Sequence, residues 1–305
     1  MGYRLACGEP VADGLRRALV EELDSAAAAL ADLRGEQLAE GVHEARKSLK
    51  KSRTIIRLLR DLLGQERYAV ANGRLRAAGR ALSSTRDADV LVAGLEGILA
   101  RGQLQPATVA GLRERLTAER AEAHRLATEL AGPRSEALER IAAGRADAER
   151  WQLAGADQTA AVLAGLTRLY RRGQRRMLAA HEDPSPTALH EWRKRVKDLG
   201  YTLRLVAPAW PAVLEPLAAE AQRQWDLLGD DHDLVLLAEA ATVRSEVFAR
   251  RTDLDAFHDV IAARRAELQQ EAFALGARLY ADKPNAFARR IDTWLEVWNA
   301  DDQAR

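Results

Sequence analysis

Two short segments of the chain carry closely spaced histidine, arginine and lysine residues, which are side chains well suited to holding an anion. The first segment, HEARKSLK, runs from His43 to Lys50, and the second, HEWRKRVK, runs from His190 to Lys197. In both, basic residues follow the histidine at offsets of 3, 4, 7 and 14. At about 100° per residue these offsets fall on one face of a helix. Because arginine binds phosphate oxygens in pairs and lysine supplies a point charge, the pattern predicts a surface for a polyanion.

The candidate binding residues are the members of this stripe in the two segments and their continuations. They are His43, Arg46, Lys47, Lys50, Arg53 and Arg57 in the first half, and His190, Arg193, Lys194, Lys197 and Arg204 in the second. Like charges four residues apart, such as Arg46 and Lys50, repel each other by about 0.2–0.5 kcal/mol. A helix that keeps them is expected to meet acidic neighbours or an anionic ligand. A solvated charged face is the alternative explanation for one stripe, and the second matched stripe weakens it.

Two further features of the candidate surface follow from the residue types. Four arginines between positions 168 and 175 fall on one face of the helix before the second segment, and Arg172 and Arg175 are candidate binding residues of a second rank. The corresponding helix of the first half is acidic, with Glu21 and Glu22, so the two halves are not expected to hold a ligand equally. The segment histidines would gain charge below a pKa of about 6.5, which predicts tighter anion binding in mild acid.

The two segments belong to a longer repeat. They begin 147 residues apart, and the stretch at Arg86-Asp87 corresponds to His232-Asp233 at an offset of 146. Two ordered landmarks at nearly the same offset indicate duplication of a whole helical unit. We therefore predict one domain over 1–305 that is built from two helical lobes, 1–150 and 151–305, related by an approximate two-fold axis.

The composition favours helices over strands. Aromatic residues make up only 5% of the chain, and alanine, leucine, arginine and glutamate dominate it. An all-α fold is therefore predicted, with glycine and proline marking the turns. The predicted helices are 12–34, 41–63, 66–82, 86–101, 106–131, 134–149, 158–181, 187–207, 211–228, 232–250, 253–280 and 284–300.

Charge, cysteine content and hydropathy limit the class of protein. The net charge is +1, so the basic character is local rather than global. Cys7 is the single cysteine, which excludes an intrachain disulfide and fits a reducing cytosol. No signal peptide and no uninterrupted apolar run of about 18 residues is visible. A cytoplasmic protein without a membrane span is expected.

The motifs together resemble the CHAD domain, the conserved-histidine α-helical domain. The resemblance covers essentially the whole chain and rests on the two His-x-x-Arg helices, the RDADVL stretch from Arg86 to Leu91 and its weaker partner at His232. It implies two pseudo-symmetric helical bundles with a basic groove or pore between them, binding of inorganic polyphosphate and no catalytic activity. Polyphosphate granules are one implied setting. One departure is Gly200, which stands where family members often carry an arginine.

The sequence gives little support for a metal site. A zincin helix needs a second histidine four residues after the first, and Lys47 and Lys194 occupy those positions. Aspartates at 87, 89, 230, 231 and 233 could suggest magnesium, but they lie at predicted helix starts, where carboxylates cap amide groups. We expect neither a metal nor a cofactor.

Two other functions stay open at this point. Nucleic acid is the main alternative polyanion, although single-strand binders place aromatic rings among the basic residues, and only Tyr201 shares the cationic face here. A phosphohydrolase acting on phosphorylated small molecules is the main enzymatic alternative, although the chain has neither a Walker A loop nor a Glu-x-Glu-x-Lys motif. The sequence leaves the oligomeric state open. Our prediction is a protein that binds polyphosphate without turning it over.

Overall fold

A computed structural model describes residues 2–31, 37–82, 86–127, 131–153 and 158–303. Every regular element in these ranges is a helix, which confirms the predicted all-α fold. The α-helices are α1 (Val11–Ala31), α2 (Gln37–Leu58), α3 (Arg60–Ala81), α4 (Arg86–Ala100), α5 (Ala110–Ala127), α6 (Ala131–Arg150), α7 (Gln158–Glu182), α8 (Pro186–Val206), α9 (Pro211–Val243), α10 (Arg251–Leu279) and α11 (Pro284–Gln303). Short 3-10 helices cover Pro106–Val109, Ala207–Ala209 and Ser245–Val247.

The largest error in the predicted helices concerns α9. Two helices separated at Gly229 were expected, 211–228 and 232–250, whereas one helix runs without a break from Pro211 to Val243. An isolated glycine costs a helix interior only about 1 kcal/mol relative to alanine, which packing along both ends of α9 can offset. The turn expected at Gly64 is present, since the backbone leaves the helical region there (φ 71°, ψ 165°) and kinks α3.

The start of the second motif helix follows from its sequence. Ser185 has extended backbone angles, and its side chain accepts a hydrogen bond from the backbone N–H of Ala188. Pro186 follows at the first helical position, where the missing N–H has no intrahelical partner to lose. Ser185 and Pro186 therefore determine where α8 begins.

Two hydrophobic clusters hold the helices together, and each draws on both halves of the chain. The larger cluster joins α1, α2, α3, α6, α7, α8 and α11 with parts of α9 and α10. The smaller joins α4 and α5 with the C-terminal part of α9 and with α10, and Leu112 and Phe257 are fully buried in it. The two halves therefore share their cores. The division into lobes 1–150 and 151–305 and the two-fold axis between them remain predictions.

The packing of three helices brings the candidate residues into one region. The helices α2 and α8, which carry the two segments, contact each other, and the arginine-rich α7 contacts both. Trp192 on the apolar side of α8 is completely buried and stacks on Phe273 of α10, with ring centroids 5.0 Å apart. This contact anchors the back of α8. Among the described residues, no helix is long and apolar enough to cross a membrane.

Candidate functional site

The two motif helices line one cavity of about 490 Å³. Residues from α3, α4, α7 and α9 complete its wall. The basic side chains on the wall are Arg46, Lys50, Arg53, Arg57, Arg76, Arg172, His190, Arg193, Lys194, Arg195, Lys197 and His232, and the acidic ones are Glu191, Asp198 and Asp233. We call this space the mixed cavity. Because one sign of charge prevails on a concave wall, its field favours anions.

A second cavity, of about 510 Å³, carries arginines almost to the exclusion of other charged residues. Its wall consists of Arg57, Arg60, Arg168, Arg171, Arg172, Arg175, Arg176 and Arg195 with Asp198, Tyr68, Leu169 and Gly165. We call it the arginine cavity. Four residues line both cavities, namely Arg57, Arg172, Arg195 and Asp198, and we call them the shared wall. The two cavities therefore meet at these side chains.

The structure brings most of the sequence-predicted residues to these two cavities. Arg46, Lys50, Arg53, His190, Arg193, Lys194 and Lys197 line the mixed cavity, Arg175 lines the arginine cavity, and Arg57 and Arg172 line both. Three predicted residues, His43, Lys47 and Arg204, line neither. Lys47 pairs with Glu44 on its own helix at 3.1 Å, and Arg204 donates a hydrogen bond to Gln222 Oε1 at 2.5 Å. Their role in binding stays a prediction.

Neutral oxygen atoms orient two of the arginines on α2. Arg46 Nη1 donates to the carbonyl oxygen of Leu82 at 2.9 Å, and Arg53 Nε donates to Asn72 Oδ1 at 3.1 Å. Such bonds fix a guanidinium group without cancelling its charge. Burial and the nearby Arg57 lower the pKa of Arg53 to about 10. The group therefore stays charged at neutral pH in surroundings that an anion would stabilise.

The shared wall contains a buried carboxylate between arginines of the two motif helices. Asp198 Oδ1 accepts hydrogen bonds from Arg57 Nη1 at 2.8 Å and from Thr54 Oγ1 at 3.2 Å, both on α2. Arg195 Nη1, one turn before Asp198 on α8, lies 2.8 Å from Asp198 Oδ2. The side chains of Asp198 and Arg195 are only 7% and 9% exposed. Burial lowers the pKa of Arg195, and the carboxylate opposes that effect.

A pair of histidines forms another part of the mixed cavity. The rings of His190 on α8 and His232 on α9 have centroids 4.6 Å apart. Burial, and after it the nearby His232, Lys194 and Arg193, lower the pKa of His190 to about 4. The pKa of His232 is lowered too, first by burial and then by Arg193. Both Nδ1 atoms are buried without a hydrogen-bond partner among the described residues, so this spot has unused hydrogen-bonding capacity.

Gly229, which was expected to separate two helices, lies inside α9 and has a different role. A Cβ atom at Gly229 would lie 2.6 Å from Nη2 of Arg193. The guanidinium group of Arg193 therefore crosses α9 at the one position without a side chain, where its Nε donates to the carbonyl oxygen of Trp225 at 3.4 Å. Close approach, rather than a turn, explains the glycine at this point of the repeat.

Several residues of the site were not predicted from the sequence. Arg195 stands about 140° from His190 on a helical wheel, outside the cationic stripe, and its burial in an ion pair explains how a charged residue fits there. Asp198 was missed because an acidic residue does not match a cationic stripe. Arg76 on α3 has no motif around it. The signal for His232 was the repeat itself, which aligned it with Arg86.

Three aspartates of the second half lie inside a helix rather than at its start. The interpretation of Asp230, Asp231 and Asp233 as residues at a helix start is wrong, because they lie inside the continuous α9. Asp231 is 1% exposed and accepts hydrogen bonds from Arg265 Nε at 3.0 Å and Gln269 Nε2 at 2.7 Å, which join α9 to α10. In the described ranges, no group of three or more His, Cys, Asp or Glu side chains is arranged to hold a metal ion.

Comparison with known proteins assigns the architecture to a family. A family model described as the CHAD domain matches residues 17–242. The chain belongs to the CHAD family. The crystal structure of the CHAD domain from the plant Ricinus communis is similar, with a TM-score of 0.60 over 92% of this chain and 94% of that chain. The sequence identity is 16%, so this likeness shows the shared fold. No curated protein gives a significant match.

The departure of this CHAD domain at Gly200 has a steric reason. A Cβ atom at position 200 would lie 2.6 Å from Cζ3 of Trp225. Trp225 in turn lies beneath two basic residues, with its ring centroid 5.9 Å from Lys197 Nζ and 5.2 Å from Arg204 Cζ. The chain therefore has an indole ring supporting cations where the resemblance led us to expect another arginine.

The lowered pKa of His190 changes the pH range in which this CHAD domain should respond to acid. The ordinary pKa of 6.5 falls to about 4 without ligand, and a bound anion would raise it again. Binding is then coupled to proton uptake and should tighten as the pH falls from 6.5 towards 4, rather than levelling off near 6.5. Measured affinity for long-chain polyphosphate at pH 7, 6 and 5 is expected to show this trend.

The variant His190→Gln is the control for this pH response. It keeps a polar side chain at the cavity wall and cannot titrate, so its affinity should change less with pH than that of the unaltered protein. Identical pH profiles for the two proteins would contradict the role given to His190, because the titration of the ligand's own end groups is common to both.

Proposed function

We propose that this CHAD domain binds inorganic polyphosphate and that one phosphate chain contacts both motif helices in the mixed cavity. The observation that carries the proposal is the meeting of the two duplicated stripes on one cavity wall. The residues of that wall are arginine, lysine and histidine, which together supply paired donors, point charges and directional hydrogen bonds. A flexible chain of identical phosphates suits such a wall because it can be held at many points without a fixed shape.

The aromatic residues at the site favour polyphosphate over single-stranded nucleic acid. Tyr201 and Trp225 are 5% and 6% exposed, and their rings contact each other at an interplanar angle of 53° with centroids 5.2 Å apart. A base needs an accessible ring face on which to stack, which typically contributes about 1–3 kcal/mol per base. These two buried rings cannot offer one. The mixed cavity is therefore better suited to an anion that has no bases, and half-buried Tyr68 on the arginine cavity is the exception.

The position of the shared wall suggests how a long chain would be held. A phosphate chain in the mixed cavity that continues past Arg57, Arg172 and Arg195 reaches the arginine cavity without leaving basic surroundings. We propose that long chains occupy both cavities. Polyphosphate granules in the cytoplasm are the setting that we propose for this binding, on the family resemblance and the single Cys7.

Titration with long-chain polyphosphate at several salt concentrations tests this function. Binding is expected to be saturable and to weaken steeply with salt, since several phosphate contacts release counterions; the rule for nucleic acids is applied by analogy. Isothermal titration calorimetry at about 50 and 200 mM salt would measure it, and a loss of about tenfold or more is expected over that range. Undetectable binding at low salt, or an affinity indifferent to salt, would overturn the proposal.

We further propose that the protein binds phosphate chains without cleaving them. No metal arrangement was found among the described residues, and the sequence has no phosphate-binding loop of the Walker A type. Incubation with polyphosphate, pyrophosphate or ATP and magnesium is expected to release no orthophosphate above a protein-free control. Release that is abolished by the exchanges Lys50→Glu and Lys197→Glu would instead place the protein among the phosphohydrolases.

A further inference from the structure

We propose that Asp198 is a built-in competitor of the ligand. It pairs with arginines of the shared wall, and a long phosphate chain must displace the carboxylate from them in order to bind there. The inference rests on the proposed function, because it identifies what a chain meets when it passes from one cavity into the other. It makes Asp198 a specificity-determining residue, although it binds no ligand itself.

Asp198 occupies guanidinium groups that could otherwise bind a phosphate. Its two carboxylate oxygens lie 2.8 Å from guanidinium nitrogens of Arg57 and Arg195, and Thr54 Oγ1 donates to it at 3.2 Å. Arginine binds phosphate with the same donors that it uses for a carboxylate. Because Arg57 comes from α2 and Arg195 from α8, the carboxylate occupies the point where a chain would join the two motif helices.

The same carboxylate balances charge that would otherwise destabilise the folded protein. Arg57 and Arg195 are 16% and 9% exposed at their side chains, and Arg172 completes the shared wall. Guanidinium groups gathered in a poorly solvated space repel one another. Asp198 therefore stabilises the ligand-free protein, and a phosphate chain would take over this role when it binds.

Asp198 is part of the protein chain and is therefore always close to its arginines, which explains an expected preference for long chains over isolated anions. A tethered group has a high effective concentration at its partners, so a free anion that makes few other contacts displaces it poorly. A long chain that is already held in one cavity is tethered as well, so it can compete with Asp198 for the same arginines. Asp198 is therefore expected to disfavour isolated anions at the shared wall while still allowing a chain to pass.

The variant Asp198→Asn tests the inference through two quantities that should move in opposite directions. Without ligand the unfolding temperature should fall, because buried arginines lose their counter-ion. The affinity for long-chain polyphosphate should rise, by about tenfold if one charged hydrogen bond no longer has to be displaced. A purely structural Asp198 would make both quantities fall, and that result would overturn the inference.

A matched control separates displacement from a general change in charge. Asp233→Asn removes the same charge from the wall of the mixed cavity, but Asp233 is not part of the shared wall. We expect it to raise the affinity clearly less than Asp198→Asn does. Equal gains in the two variants would show that only the overall field matters, and would overturn the inference.

A second pair of variants covers the case in which Asp198→Asn does not fold. Arg195→Met removes one of the two arginines that pair with Asp198. The double variant, Arg195→Met with Asp198→Asn, removes the carboxylate as well, and it leaves fewer unpaired buried charges than Asp198→Asn alone. The double variant should bind long-chain polyphosphate more tightly than the single variant, and equal or weaker binding would overturn the inference.

If the unaltered protein binds no polyphosphate, the proposed function itself fails. If it binds and the Asp198 variants bind no more tightly, only this inference fails.

Discussion

Reversing the charges of Lys50 and Lys197 together is expected to weaken binding of long-chain polyphosphate by about 100-fold. The two lysines line the mixed cavity from α2 and α8, so the pair of exchanges Lys50→Glu and Lys197→Glu affects both motif helices. Each exchange changes the local charge by two units. If each unit costs about 0.7 kcal/mol, within the range for partly exposed charge pairs, the total is about 2.8 kcal/mol, which corresponds to about 100-fold in affinity.

The control for this experiment changes the net charge equally at another place. Arg113→Glu with Arg251→Glu reverses two exposed charges on α5 and α10, and neither residue lines the two cavities. Surface exchanges of this kind usually change stability little, and the affinity is expected to fall far less than in the lysine variant. Thermal unfolding of both variants would confirm that they fold. A comparable loss in the two variants would refute a localised site, because it would reflect net charge alone.

Long polyphosphate chains are expected to bind about 100-fold more tightly than tripolyphosphate when both affinities are expressed per phosphate group. In the proposed binding mode a short chain would contact only part of one cavity, whereas a long chain would reach from the mixed cavity past the shared wall into the arginine cavity. Once one section is bound, the next is held at a high effective concentration near its own site. Titrations with chains of defined length would measure the difference.

Variants of the arginine cavity show whether both cavities contribute to this preference. Arg171→Ala with Arg175→Ala removes two of its arginines and leaves the mixed cavity unchanged. The ratio between long-chain and tripolyphosphate affinity should then narrow. If long and short chains bind alike per phosphate in the unaltered protein, the two-cavity model is wrong and the duplication serves the architecture alone.

The helical fold could be predicted from the sequence because its signals are local. The helix-favouring composition, and the glycines and prolines that mark the turns, can be recognised in short stretches of the sequence. The exception was α9, where Gly229 looked like a turn. The glycine is instead required by a contact with Arg193, which precedes it by 36 residues and lies on another helix, and such a contact leaves no trace in a local pattern.

The candidate site could be predicted in part, for the residues that obey helical periodicity. Lys50 and Lys197 carry their own charge signal and their own spacing, and both line the mixed cavity. Asp198 and Arg195 depend on each other across one helix turn and on Arg57 from another helix. Neither residue can be recognised as part of the site by itself, because an acidic residue does not fit a basic stripe and an arginine on the apolar side of a helix does not fit a core. Only the packing of α2 against α8 turns them into one ion-pair cluster.

The relation between the two cavities also lay beyond the sequence. The arginines of α7 formed a separate stripe that could have faced solvent. Arg172 lines both cavities because α7 contacts α2 and α8 at once. This arrangement depends on three helices that are distant in the chain, and it makes the second-rank residues Arg172 and Arg175 part of the proposed path.

A competition titration at fixed salt tests the central claim most directly. Labelled long-chain polyphosphate is bound first, and unlabelled polyphosphate, single-stranded DNA, RNA and ATP are then added in separate experiments at equal phosphate concentration. We expect unlabelled polyphosphate to displace the label at far lower concentration than the other three, because in the mixed cavity the buried rings of Tyr201 and Trp225 give bases no face on which to stack. Displacement by RNA or DNA at the same concentration as by polyphosphate would contradict the account and identify a general polyanion surface.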